Sequence, residues 1–215
     1  LDANPNSSVP SCSDGDSVWG ADRRTIDPAW DEHPVVCVTA VAAQKFCEGA
    51  GKRLPTEAEW EAAARGPGGD RYPWGAGFDT DAAQCHHDWS SYDPGSQCAN
   101  TYPANTCPDA KPIIACLQTA PVQIEGEPTL ESGRSPSGAL HMAGNAAEWV
   151  GEAWTSDHKG CSGGCTDPSK APSATGTWVV KGGSWASDAD SIAGWARQSA
   201  SATTRDSKTG FRCAR

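Results

Sequence analysis

The sequence predicts an α+β fold of a loop-rich kind, with two main helices and small antiparallel sheets. Three observations carry that expectation. Two stretches start on a capping residue and continue with a helical apolar period, Thr39 to about Glu48 and Thr56 to about Arg65. Short apolar or β-branched runs at Pro34–Val38, Thr177–Lys181 and Gly210–Cys213 read as strands, with further short candidates at Pro112–Leu117 and Pro121–Ile124. The chain between them is punctuated by 23 Gly and 16 Pro in 215 residues, a composition of turns rather than of long elements.

Length fits one domain over residues 1–215, with 1–34 an irregular arm held by Cys12. Leu, Ile, Val and Phe supply only 23 of 215 residues and the formal net charge is −10, a pairing that alone argues against a packed core. Ten Trp and ten Cys argue for one: each indole buries a large surface, and disulfides restrain long loops. Ten cysteines without a C-x-x-C pair suit an oxidising compartment, extracellular or periplasmic, better than a zinc ribbon. The single Met142 and the opening at Leu1 read as a mature or trimmed chain. No apolar run approaches membrane-spanning length, and a pI near 4.8 argues against nucleic acid and anionic lipid. The sequon Asn6-Ser7-Ser8 is a weak glycosylation signal.

Taken in order, Thr39 caps a first helix that Gly49 and Gly51 end, with Val41, Ala42 and Phe46 as its expected buried face. Pro55 blocks an earlier start to the second helix. There Thr56 and Glu59 form a capping box, Trp60, Ala63 and Ala64 make the apolar stripe, and Glu57, Glu61 and Arg65 face water. Arg65-Gly-Pro-Gly-Gly breaks it. From Ala76 to about Ser137 no period is sustained, and a second loop, Thr155 to Gly176, holds Cys161 and Cys165. Gly182-Gly183 after the Thr177 strand permits a bulge or a close backbone approach.

Four stretches stand in a telling order: GKRLPTEAEWEAAARG at 51–66 with Tyr72-Pro73-Trp74-Gly75 behind it, HMAGNAAEWV at 141–150, VVKGGSW at 179–185 and GFRCAR at 210–215. Together they resemble the formylglycine-generating-enzyme, or sulfatase-modifying-factor, family from about His33 to Arg215. The resemblance implies the complex C-type-lectin-like fold. The family's usual first strand and first helix have no counterpart in residues 1–34. It also implies a disulfide between Cys47 and Cys213, while the family's second disulfide falls on Ala64 and Ala196. For the rest, Cys12–Cys37 and Cys161–Cys165 are the preferred pairs; Cys85, Cys98, Cys107 and Cys116 pair among themselves in an order that sequence leaves open.

Oxidases of this family hold copper(I) with two cysteines after the Gly-Gly-Ser-aromatic motif. Here those positions fall on Ser187 and Ile192, and a hydroxyl does not replace a soft thiolate. The resemblance further implies a calcium ion at the GNAAEW turn, held by an oxygen of His141, the carbonyls of Gly144 and Ala146, and the carboxylate of Glu148. A second calcium position meets Cys85-His86-His87-Asp88 instead of the family pattern, with Asp79, Asp81, Asp88, Asp93 and Asp109 nearby in sequence. Trp185, Ser187, Asp188, Asp190, Arg197 and Arg205 are candidates for a polar ligand cleft.

The expected function is therefore a non-catalytic, secreted, calcium-stabilised and disulfide-bonded module that binds a protein, peptide or glycan partner. Three alternatives share the scaffold: an enzyme of other chemistry, a retroelement-diversified ligand-binding protein variable between Ala186 and Lys208, or a subunit of a larger extracellular assembly.

Overall fold

The computed structural model describes residues 12, 34–79, 82–83, 119, 133–156 and 172–215. Within them lie helices α1 (Ala40–Gly49) and α2 (Glu57–Arg65) and strands β1 (Ala147–Ala153), β2 (Thr177–Lys181), β3 (Gln198–Ser201) and β4 (Thr209–Phe211). The strands form one sheet in the order β3-β2-β1-β4.

Both helices start where their caps dictate. The Thr39 hydroxyl accepts from the Ala42 N–H at 3.2 Å. At α2 the capping box is complete: Thr56 Oγ1 accepts from Glu59 N–H, and Glu59 Oε2 accepts from Thr56 N–H at 2.9 Å. Arg53 grips the same carboxylate and ties the cap to the chain before it.

The sheet is the middle layer. Alternate residues of β1 and β2 point to opposite faces. Ala147, Trp149, Trp178 and Val180 pack toward α1 with Val38, Ala43 and Cys47, whereas Val150 and Val179 pack toward α2 with Trp60, Ala64 and Met142. A third apolar cluster, Tyr72, Ala83, Ala143, Ile192 and Ala193, sits beside the sheet under the loops. Trp60, Trp149 and Trp178 are all but inaccessible, and large indoles compensate for the scarcity of aliphatic residues.

The two-helix α+β class stands, but several details differ from the sequence expectation. The buried face of α1 is Ala40, Ala43 and Cys47, not Val41, Ala42 and Phe46. The disulfide Cys47–Cys213 bridges 166 positions and turns the Cys47 side inward, leaving Phe46 edge-on against Phe211. Glu57 is buried rather than solvated. β1 and β3 were not expected as strands; β1 is covered on both faces and so lacks the alternation that marks a half-exposed strand. The sheet is mixed: β1 runs antiparallel to β2 but parallel to β4. Residues 34–38 join no named strand, and Cys37 bends the segment with a left-handed φ of 60°.

Instead Cys37 N–H donates to the Asp206 carbonyl, Trp149 Nε1 donates to the Val38 carbonyl at 3.0 Å, and a Cβ on Gly210 would collide with the Val35 carbonyl. The Cys12–Cys37 pair forms as expected. Cys161–Cys165, the cysteines Cys85, Cys98, Cys107 and Cys116, the second calcium position at 85–88, the sequon at Asn6 and the strands expected at 112–117 and 121–124 lie outside the described residues.

Arg53 holds the Glu59 carboxyl down to about 2, burial opposing it and the Thr56 donors assisting. A carboxyl whose folded value lies below its unfolded one contributes stability that is present above about pH 4.5 and is lost as pH falls through about 2. Glu59→Gln should therefore lose less stability than the parent between those limits, and Thr56→Ala should cost about 1 kcal/mol at neutral pH. Denaturant titrations at stepped pH measure both; parallel acid limbs would contradict the assignment.

Candidate functional site

Four sequence motifs meet at one carboxylate. Glu148, on the α2 side of β1, is buried, and its Oε2 accepts from Trp60 Nε1 at 2.7 Å and from Arg212 Nε at 2.6 Å. Its Oε1 accepts from Arg212 Nη2, also at 2.6 Å. The indole comes from the capped helix, the carboxylate from GNAAEW and the guanidinium from GFRCAR. The fourth motif closes the group from above: a Cβ on Gly182 would lie 2.8 Å from the Trp60 ring, so only glycine fits, and its positive φ of 83° suits no other residue as well. Burial works against the Arg212 charge, but the Glu148 carboxylate more than offsets it and raises the guanidinium's pKa.

The GNAAEW turn is held open by three residues with left-handed backbone, His141, Gly144 and Asn145. Gly144 N–H donates to the Gly182 carbonyl and Trp185 N–H to the Asn145 carbonyl, both at 2.8 Å, which docks this turn onto the VVKGGSW turn. Arg212 Nη2 reaches the carbonyls of Leu140, at 3.0 Å, and His141, at 3.4 Å. For a cation here, the chemistry of the donor set is the test. Glu148 Oε1 takes one donor where Oε2 takes two, so Oε1 keeps an acceptor direction that Oε2 has used. Among the described residues no three His, Cys, Asp or Glu side chains are grouped so as to hold a metal ion. A cation at this turn would lean on carbonyl oxygens, a set that suits hard Ca²⁺ and not a thiophilic metal.

Ser187 and Ile192 converge below Gly183. A Cβ there would lie 2.8 Å from Ile192 Cγ2 and 3.1 Å from Ser187 Cβ, which makes the two side chains neighbours. Ser187 Oγ accepts from Ser184 N–H at 2.9 Å and serves its own turn, while Ile192 is fully buried against Tyr72 and Ala143.

The remaining cleft candidates are dispersed. Asp188 accepts from Ser191 N–H at 2.7 Å, and these hydrogen bonds from Ser191 hold its carboxyl below the usual range. Asp190 pairs with Arg71. Trp185 is buried, with Nε1 donating to Ser207 O and Lys208 over its ring. Arg205 Nε donates to Cys37 O at 3.1 Å, just ahead of α1. Arg197 faces α2 instead, donating to Glu57 Oε1 at 2.6 Å and to Thr155 O at 3.0 Å, and stacking on Trp154.

Comparison with known proteins converges on one family. The profile of the sulfatase-modifying factor enzyme 1-like domain matches residues 12–215. The chain belongs to the sulfatase-modifying factor family. The formylglycine-generating enzyme of Streptomyces coelicolor is 35% identical over 187 residues, covering 85% of this chain and 52% of that protein. Serine/threonine-protein kinase pkn1 of Chlamydia pneumoniae is 29% identical over 194 residues, covering 90% of this chain and 26% of that one. The chain thus spans about a quarter to a half of the curated relatives it matches. Among solved structures, Treponema denticola variable protein 1 aligns with a TM-score of 0.58 at 23% identity, covering 85% of this chain and 70% of that one. PvdO from Pseudomonas aeruginosa aligns with 0.55 at 23% identity, covering 85% and 61%.

On this sulfatase-modifying-factor scaffold the structure adds a buried charged cluster that sequence reasoning missed. Lys181, with a fully inaccessible side chain, lies 3.2 Å from Glu61 and 3.8 Å from Glu57, whose side chain is 7% exposed. Glu57 N–H donates to Glu152 at 2.9 Å. Burial pulls the Lys181 pKa down, and the two glutamates oppose that shift. Glu57, Glu61 and Glu152 line an open groove of about 400 Å³ along α2. A helix wheel assigns Glu57 to water; its burial follows from Lys181 and Arg197, which arrive from positions more than a hundred residues later.

The Glu148–Arg212 pair is open to a double-mutant cycle. Removing one member strands the other in a buried site, so Arg212→Met or Glu148→Gln alone should each cost about 3–5 kcal/mol, and the double variant clearly less than their sum. Urea unfolding of the four proteins measures this; additivity would show that the pair is not a unit.

Proposed function

We propose that this chain is a non-catalytic binding module of the sulfatase-modifying factor family, working in an extracellular or periplasmic space. The observation that carries this reading is the pair at the Gly183 turn: the side chains at the two cysteine positions are neighbours, and they are a hydroxyl already used by its own turn and a buried sec-butyl group. Neither is a ligand for copper(I). Two disulfides among the described residues, and no helix among them long and apolar enough to cross a membrane, are compatible with that location.

An enzyme of other chemistry draws little support from the same turn. Ser187 has no histidine beside it among the contacts described, and Asp188 is made a weaker base by its hydrogen bonds. The partner we infer is a protein, peptide or glycan, met by the free module or within an extracellular assembly.

Calcium belongs to this proposal as a brace at the GNAAEW turn. The Gly144 and Ala146 carbonyls, a His141 oxygen and Glu148 Oε1 would hold it, and the ion would supply fixed charge, not chemistry.

Two measurements test the reading. With copper(I) supplied, a cysteine-containing sulfatase-type peptide should remain unoxidised by mass spectrometry, and any catalytic turnover would end the non-catalytic assignment. Separately, millimolar Ca²⁺ should raise the thermal midpoint over the same protein in chelator, by about 2.7 kcal/mol of stabilisation at a hundred times Kd, with Mg²⁺ less effective. Identical midpoints would remove calcium from the account.

A further inference from the structure

The sheet has two edges, and they are finished differently. Beyond β4 the chain closes over its own edge: Cys37 N–H donates to the Asp206 carbonyl, the Val35 carbonyl sits against Gly210, and Arg53 pairs with Ala214 past the end of the strand. The other edge is β3, the outermost strand on the far side of β2.

The register decides which groups β3 turns outward. Thr177 stands opposite Ser201 and Val179 opposite Ser199, and Ala202 N–H donates to the Gly176 carbonyl at 2.8 Å, one step beyond the Thr177–Ser201 pair. In an antiparallel ladder this makes Ser199 and Ser201 the non-hydrogen-bonded positions, whose N–H and C=O groups point away from β2. The Ser201 carbonyl accepts from Thr204 N–H at 2.9 Å, which ends the strand. Ser199 N–H, Ser199 C=O and Ser201 N–H are left without a partner among the described residues. Both serines are exposed, so this rim of the sheet faces solvent.

The devices that usually blunt such an edge are missing. Gln-Ser-Ala-Ser has no proline and no charge, and its pairing with β2 runs without a bulge. The Arg197 side chain just ahead of it is drawn inward, to Glu57 and Trp154. A donor and an acceptor on one residue, with a second donor two residues on, fit an extended peptide: one of its residues exchanges both bonds with Ser199, and a carbonyl two places away accepts from Ser201. A second copy of the chain fits less well. Two exposed serines are a small part of the roughly 800 Å² per partner that a stable interface buries, and each copy carries a formal charge of −10.

We propose that the outer edge of β3 is a docking site for an extended peptide segment of a partner protein, which joins the four-stranded sheet as a further strand antiparallel to β3. This rests on the binding-module reading and narrows its partner to a polypeptide. The contacts are to backbone, so a generic strand-forming peptide is a sufficient probe.

The test is NMR titration of the intact chain with acetyl-Lys-Val-Thr-Val-Lys-amide, read on the backbone amides of Ser199 and Ser201. Both proton resonances should move downfield saturably and their hydrogen exchange should slow about tenfold, while the amides of β4 stay unchanged. The same peptide N-methylated at its three central residues keeps its charge and side chains, loses its strand donors, and should not bind. Ser199→Pro removes a donor that the sheet itself does not use, and should weaken binding about tenfold. Where that variant does not fold, the N-methylated peptide on the unaltered chain decides. Equal binding of the N-methylated peptide means attraction of charge only and overturns the proposal. So do an unmoved Ser199 amide, undiminished binding by folded Ser199→Pro, a response to maltose instead of the peptide, or protection of Ser199 without peptide where sedimentation shows a dimer. The two readings fail separately: oxidation of a cysteine peptide would remove the non-catalytic assignment, whereas absent strand addition without oxidation removes only this site.

Discussion

The structure depends on keeping one buried anion satisfied. Glu148 stands in the central strand, and a carboxylate without partners there would carry a desolvation penalty of several kcal/mol. Its partners come from either side of it in the sequence, Trp60 from α2 and Arg212 from the residue after β4. Each can arrive only if the helix docks on one face of β1 and the terminal strand lies along its edge. Gly182 adds the same demand from β2, because the Trp60 ring occupies the space where a side chain would be. Motifs scattered over 160 residues are thus four sides of one requirement.

How much was legible in the sequence depends on how far the controlling contact lies. Caps are local, and Thr39, Thr56 and Glu59 behave as their spacing dictates. β2 has a β-branched signature and appears over the expected residues. Faces and pairings are not local. The inward side of α1 is decided by a sulfur in β4's extension, and Glu57 is buried because a lysine and an arginine from β2 and the stretch before β3 neutralise it. β1 shows no alternation because both of its faces are covered, and β3, of the sequence Gln-Ser-Ala-Ser, has neither branching nor bulk to announce it. Among the site residues, Ser187 and Ile192, five positions apart in sequence, both come against Gly183, a closeness that spacing alone does not state. The acidic and basic cleft candidates follow the place of the family's cleft, and in the structure each is engaged by a different neighbour.

Taken together, the scaffold and the reactive positions have different fates. The indole, carboxylate and guanidinium that hold the layers together are intact, whereas the point beneath Gly183 is filled with aliphatic carbon. Burying Ile192 there extends the third apolar cluster under Tyr72, whose hydroxyl donates to Ala189 O at 3.1 Å and closes the turn over it. The position that the family resemblance assigns to a cysteine is packing in this chain. The surface around it still presents an exposed indole with cations on its ring.

The placement of Arg212 and Cys213 has a consequence for biogenesis. A ribosome releases the chain from the N-terminus, yet the salt link at the centre and the 166-residue disulfide loop both need residues from the far end. Until those residues clear the exit tunnel, α1, α2 and β1 have hydrophobic faces with nothing complete to close against, and so many distant pairings make for slow folding. The sheet and both helices therefore close on one another only once residues 212 and 213 are in place.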